Sequence, residues 1–287
     1  MMQITELPRI PAREPDTHKG TYGRVLILAG SPAMPGAAVL AARAALRAGS
    51  GLVTVAAPPP VALVVGAACP EATHIVLPEP KARNHREALL RALGERLESG
   101  ADSLALGPGI GTSEGARALV ELALQRFSGP HVVDADGLNL VAAEPALQGP
   151  RRENRIWTPH PGELQRLTGE KPRGDEERVA ASARFVERFG GVVVLKGHRT
   201  VVMEKDRYYI NATGNPGMAT GGAGDVLTGV IASLLGQGFP PFPAACLSVR
   251  IHGRAGDLAA RALGQASLIA SDIIEHLPQA LQEEVAT

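Results

Sequence analysis

The chain has 287 residues, 45% of them hydrophobic and 20% charged, a balance that excludes a disordered chain and suits a folded protein with a core of its own. Its 29 basic residues meet 29 acidic ones. No global field therefore draws nucleic acid or an anionic membrane surface, and any anion must be bound by local geometry.

From the amino terminus, Met1 to Gly20 carries prolines and mixed charges without the apolar run of a targeting signal. The longest apolar stretch, Val61 to Cys69, is far short of a membrane span, and a cytoplasmic protein is expected. Cys69 and Cys246 form neither a close pair nor a framework and read as buried small hydrophobes in a reducing compartment. One α/β domain is expected, with residues 1–17 as an extension before it.

Short β-branched runs then alternate with helical patterns: Arg24 to Ala29, Leu52 to Ala57, Thr73 to Leu77, Ser103 to Leu106, His131 to Asp134, Arg155 to Thr158 and Val192 to Leu195. This is the rhythm of a mostly parallel sheet. Between them, Ala116, Leu119, Val120, Ala123, Leu124 and Phe127 fall on one helix face. Strands as apolar as Val192-Val193-Val194-Leu195 need cover on both faces, which predicts a three-layer αβα sandwich. Thr200 to Met203 and Arg207 to Ile210 read as an antiparallel hairpin at one edge, around the turn Glu204-Lys205-Asp206. From Thr220 the pattern is helical to the end, with Pro240, Pro241 and Pro243 separating two long helices.

Glycines gather just past strand ends, the edge of an open sheet where ligands bind: Gly30 to Gly36, Gly107 to Gly111, Thr158 to Glu163, and Gly214 to Asp225. The last holds five glycines in twelve residues and runs straight into the helical stretch from Val226 to Leu235. Glycine lets backbone N–H groups converge, and a helix start adds unpaired N–H groups and a positive dipole end, so together they make an anion hole. Asp225 beside a phosphate held there could take a proton from an attacking hydroxyl. An ordinary Asp at a helix start explains Asp225 but not the glycines. The chain has no Walker loop, Rossmann fingerprint, zincin motif or nucleophile elbow.

The ordered segments His18 to Gly23, Gly36 to Ala38 with Ala44 to Val53, Gly107 to Gly109, Asp134 to Asn139, Thr158 to Glu163, Lys196-Gly197 with Thr200, and Gly221 to Asp225 carry a resemblance. From about His18 to the last helix the chain resembles the ribokinase-like superfamily and, more closely, its NAD(P)H-hydrate dehydratase branch. The resemblance implies a repair lyase. Water added to the nicotinamide ring of NADH or NADPH (NADHX and NADPHX, S epimer) would be removed at the expense of ADP or ATP with Mg2+. The ring hydroxyl would be phosphorylated and phosphate then eliminated, leaving AMP or ADP. Asp225 would be the base, with the amides of Gly222, Ala223 and Gly224 holding the transferring phosphate. The hydrated dinucleotide would lie near Ala38, Gly109, His160 and Asp225, and the adenine nucleotide near Lys196, Gly197, His198, Arg199, Thr200 and Gly224.

His160, between two prolines, reads as a ligand contact rather than a plain loop histidine, and Lys196 as a strand-terminal phosphate partner rather than a solvated lysine. Glu163 occupies the acidic end of a segment that looks like the N-x-x-E element of vitamin kinases, with His160 in place of Asn; it either holds Mg2+ through water or caps a helix. Asp134 and Asp136 either hold a hydrated metal or a lysine, or simply serve a turn. Two departures stand out. Ala223 replaces the Thr or Ser usual in the branch and matches sugar kinases of the superfamily, and Ala29 replaces a frequent glycine. A small-molecule kinase and a non-catalytic nucleotide sensor are the competing expectations. The resemblance further implies a homotetramer, with Val61 to Cys69 as a candidate contact or simply core, and places the epimerase domain often fused to this one on another polypeptide.

Overall fold

The structure is a computed structural model that describes residues 1–78 and 84–286. Among these, ten strands form one sheet in the order β1-β10-β9-β8-β7-β6-β5-β2-β3-β4. Its parallel body comprises β2 (Arg24–Leu28), β3 (Leu52–Ala57), β4 (Thr73–Val76), β5 (Ser103–Leu106), β6 (His131–Val133), β7 (Arg155–Trp157) and β8 (Val192–Leu195). The expected hairpin, β9 (Val201–Glu204) and β10 (Arg207–Ile210), extends it antiparallel from β8. Residues 1–17 are more than an extension: β1 (Met2–Gln3) pairs with β10, and Ile10 pairs with Val285 near the carboxyl end. A two-residue strand carries too little periodicity to be read from sequence.

Helices cover both faces, as the apolar strands require. On one side lie α1 (Pro35–Arg47), α2 (Pro59–Ala68), α8 (Ala223–Gly236), α9 (Pro241–Leu263) and α10 (Ala270–Gln282). On the other lie α3 (His85–Glu95), α4 (Glu114–Arg126), α5 (Asp136–Ala143), α6 (Pro161–Thr168) and α7 (Gly174–Phe189). The predicted stripe of α4 is buried, and Ser113 caps its start. After Thr220 there are three helices instead of two. Pro243 sits in the first turn of α9, where a missing N–H costs nothing, and Gly264 at φ +81° ends that helix.

The central helix α8 is buried on nearly every side and lies directly against α1. A Cβ at Gly229 would stand 2.2 Å from the Ala41 carbonyl oxygen, so only glycine allows this approach. The alanines of α1 supply the matching flat surface. The strand order reverses between β2 and β5, and such a reversal opens a crevice at the carboxyl ends of the strands. There Gly30 N donates to the Pro108 carbonyl at 2.8 Å. The His18 to Gly23 segment lies at the opposite end, ahead of β2, where it forms a turn capped by His18. A Cβ at Gly51 would be 1.7 Å from the Lys19 carbonyl oxygen, so these motif residues serve close packing far from the crevice.

Candidate active site

The chain from β10 reaches α8 across the back of α9. Cβ atoms at Gly253 and Gly256 would clash with Thr213 and Met218, so glycine on α9 lets residues 213–218 lie flat. Asp257, one residue on, accepts from Gly214 N and Asn215 Nδ2, both at 3.0 Å. Gly222 then turns the chain in the left-handed conformation, φ +88°, close against Leu40 of α1. No side chain caps α8; Ala223 N donates to the Thr220 carbonyl at 3.4 Å, and Gly224 N is left without a partner among the described residues. Gly221 faces open space.

Asp225 sits in that first turn, and its carboxylate accepts no hydrogen bond from the described residues. Burial, then the neighbouring Asp134 and Asp136, push it up to about 7, with Lys196 pulling the other way. Asp134 ends β6 and is fully buried. It accepts from Lys196 Nζ at 2.6 Å and from Thr228 Oγ1 at 2.7 Å. Thr228 stands one turn beyond Asp225 on α8, so strand β6, strand β8 and helix α8 are joined through one carboxylate. Lys196 is therefore a paired, largely buried cation. Burial alone would lower it, and Asp134, Glu163 and Asp225 more than reverse this, so it stays charged. Its ammonium is within 3.5 Å of where a Gly224 side chain would begin.

Asp134 thus holds a lysine, one of its two expected uses. Asp136 accepts from Gly111 N at 2.8 Å and from Asn139 Nδ2 at 3.3 Å, tying the β5 loop to α5. Ala135 between them has φ +48°, a region that costs a residue with a side chain on the order of 1–3 kcal/mol. The strain is borne where the two aspartates diverge toward different partners.

His160 and Glu163 cap α6 reciprocally. His160 Nδ1 accepts from Gly162 N at 2.9 Å and Glu163 N at 3.3 Å, while Glu163 Oε2 accepts from His160 N at 2.8 Å. Accepting at Nδ1 puts the proton of a neutral imidazole on Nε2. Burial and the nearby Lys196 hold that imidazole below its ordinary pKa, so the neutral form prevails. The helix-cap use of Glu163 is present; its second oxygen faces His160 Nε2 at 3.5 Å, and Lys196 Nζ lies 3.8 Å from Oε2. Burial raises the Glu163 carboxyl.

Among the described residues, no group of three His, Cys, Asp or Glu side chains has the arrangement of a metal cage. The carboxylates of Asp134, Asp136 and Glu163 are committed to Lys196, Thr228, Asn139 and backbone N–H groups. A divalent ion fits here only as one that arrives on phosphates and keeps its waters.

The loop from Lys196 to Thr200 is pinned from below by Arg178 of α7. Its guanidinium donates to the Leu195 carbonyl at 2.8 Å and also to those of Lys196, His198 and Arg199. Arg199, at φ +55°, pairs with Asp175 at 2.6 Å. Ala38 has no exposed surface and packs beneath Gly30, while Gly109 sits against Ala37 and Met34. The four glycine-rich edges gather in two groups, Gly224 with Lys196, Glu163 and Asp134, and Gly30 with Ala38 and Gly109 beside α1.

Thr228, Arg178 and Asp257 went unidentified from sequence. Thr228 had a signal, its i, i+3 spacing from Asp225; the other two act on backbone that is distant along the chain.

A family model described as NAD(P)H-hydrate dehydratase matches residues 25–279. The bifunctional NAD(P)H-hydrate repair enzyme of Moorella thermoacetica is 45% identical over 97% of this chain, which covers 53% of that protein. The chain spans about half the length of the bifunctional relatives it matches. The ADP-dependent (S)-NAD(P)H-hydrate dehydratase of Neisseria meningitidis serogroup B is 37% identical, covering 91% of this chain and 86% of its own. The solved ADP/ATP-dependent NAD(P)H-hydrate dehydratase of Bacillus subtilis, co-crystallized with ATP/Mg2+, superposes with a TM-score of 0.79 at 30% identity, over 98% of this chain and 99% of that one. The chain belongs to the NAD(P)H-hydrate dehydratase family, whose chemistry is that of a lyase.

Proposed function

We propose that this chain removes water from hydrated NADH or NADPH by phosphorylating the ring hydroxyl and then expelling phosphate, with ADP or ATP as donor. The observation that carries this is Asp225: a carboxyl raised to about 7, standing in the open first turn of α8 and free of any partner that would occupy it. A base is most effective when its pKa lies near working pH.

In the first step the ring hydroxyl oxygen bonds to the terminal phosphorus of the donor, Asp225 takes the hydroxyl proton, and the shortened nucleotide leaves. The N–H groups of Gly222 and Gly224, with that of Ala223 once it turns from its long bond to the Thr220 carbonyl, would meet the charge developing on the transferring phosphoryl group. In the second step the C–O bond breaks as phosphate departs with the bonding pair, the neighbouring ring carbon gives up a proton to water, and the electrons of that C–H bond restore the ring double bond. Hydroxide is a poor leaving group and phosphate a good one, which is the reason for spending a nucleotide.

Lys196, fixed by Asp134 beside Gly224, would neutralise the donor phosphates together with the backbone of residues 197–200. Mg2+ would come bound to those phosphates, with Glu163 reaching it through water, and would supply further neutralisation of phosphate charge. The protonated Nε2 of His160 would donate to the dinucleotide, whereas Ala38 and Gly109 would contribute by leaving room. Incubation with hydrated NADH, ADP or ATP, and Mg2+ should restore the dihydronicotinamide absorbance with one phosphate released per ring recovered. A stable phosphorylated product without NADH would instead identify a kinase, the outcome that Ala223 favours by lacking the hydroxyl usual in the branch. Nucleotide binding with no phosphate release would identify a sensor.

A further inference from the structure

Beyond the residues already placed, a half-open cleft with a cavity of about 90 Å³ lies at the carboxyl ends of β2, β3 and β4. Pro32, Pro58, Leu89, Ile110, Ala116 and Leu119 line it, so its walls are mostly apolar. His85, the first residue of α3, also lines it, and both its ring nitrogens are buried without a hydrogen-bond partner among the described residues. Buried nitrogens of this kind cost free energy until something pairs with them.

We propose that this cleft seats the purine base of the hydrated dinucleotide, the ring at the far end from the one that reacts. The inference rests on the dehydratase reading of Asp225 and deepens it. A dinucleotide whose reacting ring meets Asp225 must run along the sheet edge. On the β8 side the way is taken by Lys196 and the loop to Thr200, leaving the direction across β5, β2 and β3. At about 4.8 Å per strand, β3 and β4 lie roughly 14 and 19 Å from β6 along that edge, the reach of an extended two-ring molecule.

The route is continuous. Gly109 touches Ala37 and Met34 at the start of α1, Ile110 follows it into the cleft wall, and Gly30 joins the two through Pro108. The first turn of α1 has no side-chain cap, so its N–H groups can meet the linking phosphates on the way. A purine suits the cleft because its faces are flat and apolar while its edge carries nitrogens able to pair with His85. An aliphatic chain would leave those nitrogens unpaired, and a phosphate would face apolar walls.

The test compares the hydrate of the whole dinucleotide with the hydrate of the reduced mononucleotide, which lacks the adenosine half, in wild type, His85→Ala and the cleft-filling Ala116→Phe. Folding of each variant is checked by thermal unfolding. The expected result is a KM for the dinucleotide hydrate raised about tenfold in both variants at unchanged kcat, with the mononucleotide hydrate unaffected; wild type itself should bind the mononucleotide hydrate more weakly. Should Ala116→Phe fail to fold, His85→Ala and the wild-type comparison still decide. Equal KM for the two hydrates in wild type, or equal effects of His85→Ala on both, would overturn the purine site while leaving the dehydratase reading standing. No turnover of either hydrate by wild type would overturn that reading and this site with it.

Discussion

At Asp225, folding raises a carboxyl from 3.8 to about 7, first by burial and then by Asp134 and Asp136. A carboxyl raised in this way favours folding in its protonated form, so its contribution to stability is complete below about pH 3.8 and lost as pH rises through about 7. Asp225→Asn, uncharged throughout, should therefore gain on wild type in thermal stability steadily from about pH 4 to pH 7 and exceed it near pH 8 by roughly 2 °C or more. The kcat of the wild type should climb with pH to a plateau just above 7; a profile flat down to pH 5 would exclude Asp225 as the base. Lys196→Met leaves the buried Asp134 with Thr228 as its remaining partner and should cost about 3 kcal/mol in denaturant titration at neutral pH. Asp225 could be picked out beforehand because a glycine cluster running into a helix marks a ligand edge, whereas Lys196, His160 and Glu163 came with the family resemblance. What each side chain does to the others could not be picked out, since Asp134 meets Lys196 and Thr228 only after β6, β8 and α8 have packed.

Among the elements, α8 and the loop before it position the carboxylate. Gly229→Val would drive a side chain into the Ala41 carbonyl, and overpacking of this kind costs about 1–3 kcal/mol. The expected signature is a lowered denaturation midpoint together with reduced turnover, because α1 and α8 both start at the ligand edge without a side-chain cap. Asp257→Ala releases Gly214 and Asn215 from α9. Amide exchange over residues 213–222 should quicken, and kcat/KM should fall about tenfold, with a melting temperature close to wild type; unchanged exchange there would show that Asp257 does not hold the loop. The stripe of α4 was readable because six apolar positions, Ala116 to Phe127, fall on one face between a serine cap and a strand. The break between α9 and α10 was not, since the apolar pattern continues past Gly264 and only the left-handed turn there ends the helix.

For the molecule as a whole, the αβα layering follows from strands too apolar to face water, and the sheet carries its chemistry at one end only. At the other end, Arg155 is fully buried with no carboxylate partner among the described residues. Its Nε donates to His131 Nε2 at 2.7 Å, and its guanidinium also reaches the Gln148 and Pro150 carbonyls. Burial, then Arg155, depress His131 to about 3, and burial depresses His252 to about 4. Bases depressed in this way favour folding when neutral, so their contribution is complete above about pH 6.5 and lost as pH falls toward 4 and 3. Stability should fall over that window, opposing the trend from Asp225, and His131→Gln, which keeps an acceptor for Arg155, should flatten the decline. Nothing in the alternation of strands and helices foretold the pairing of β1 with β10 or of Ile10 with Val285, because these contacts join the two chain ends.

The most direct test of Asp225 as the base acting on a hydrated dinucleotide is phosphate release in the presence of hydrated NADH, ADP and Mg2+, compared between wild type and Asp225→Asn with nucleotide affinity measured on both. The prediction is hydrate-dependent release and NADH recovery by wild type, and a loss of at least about a thousandfold in the variant at nearly unchanged nucleotide affinity. Hydrate-dependent release that survives in Asp225→Asn would contradict it.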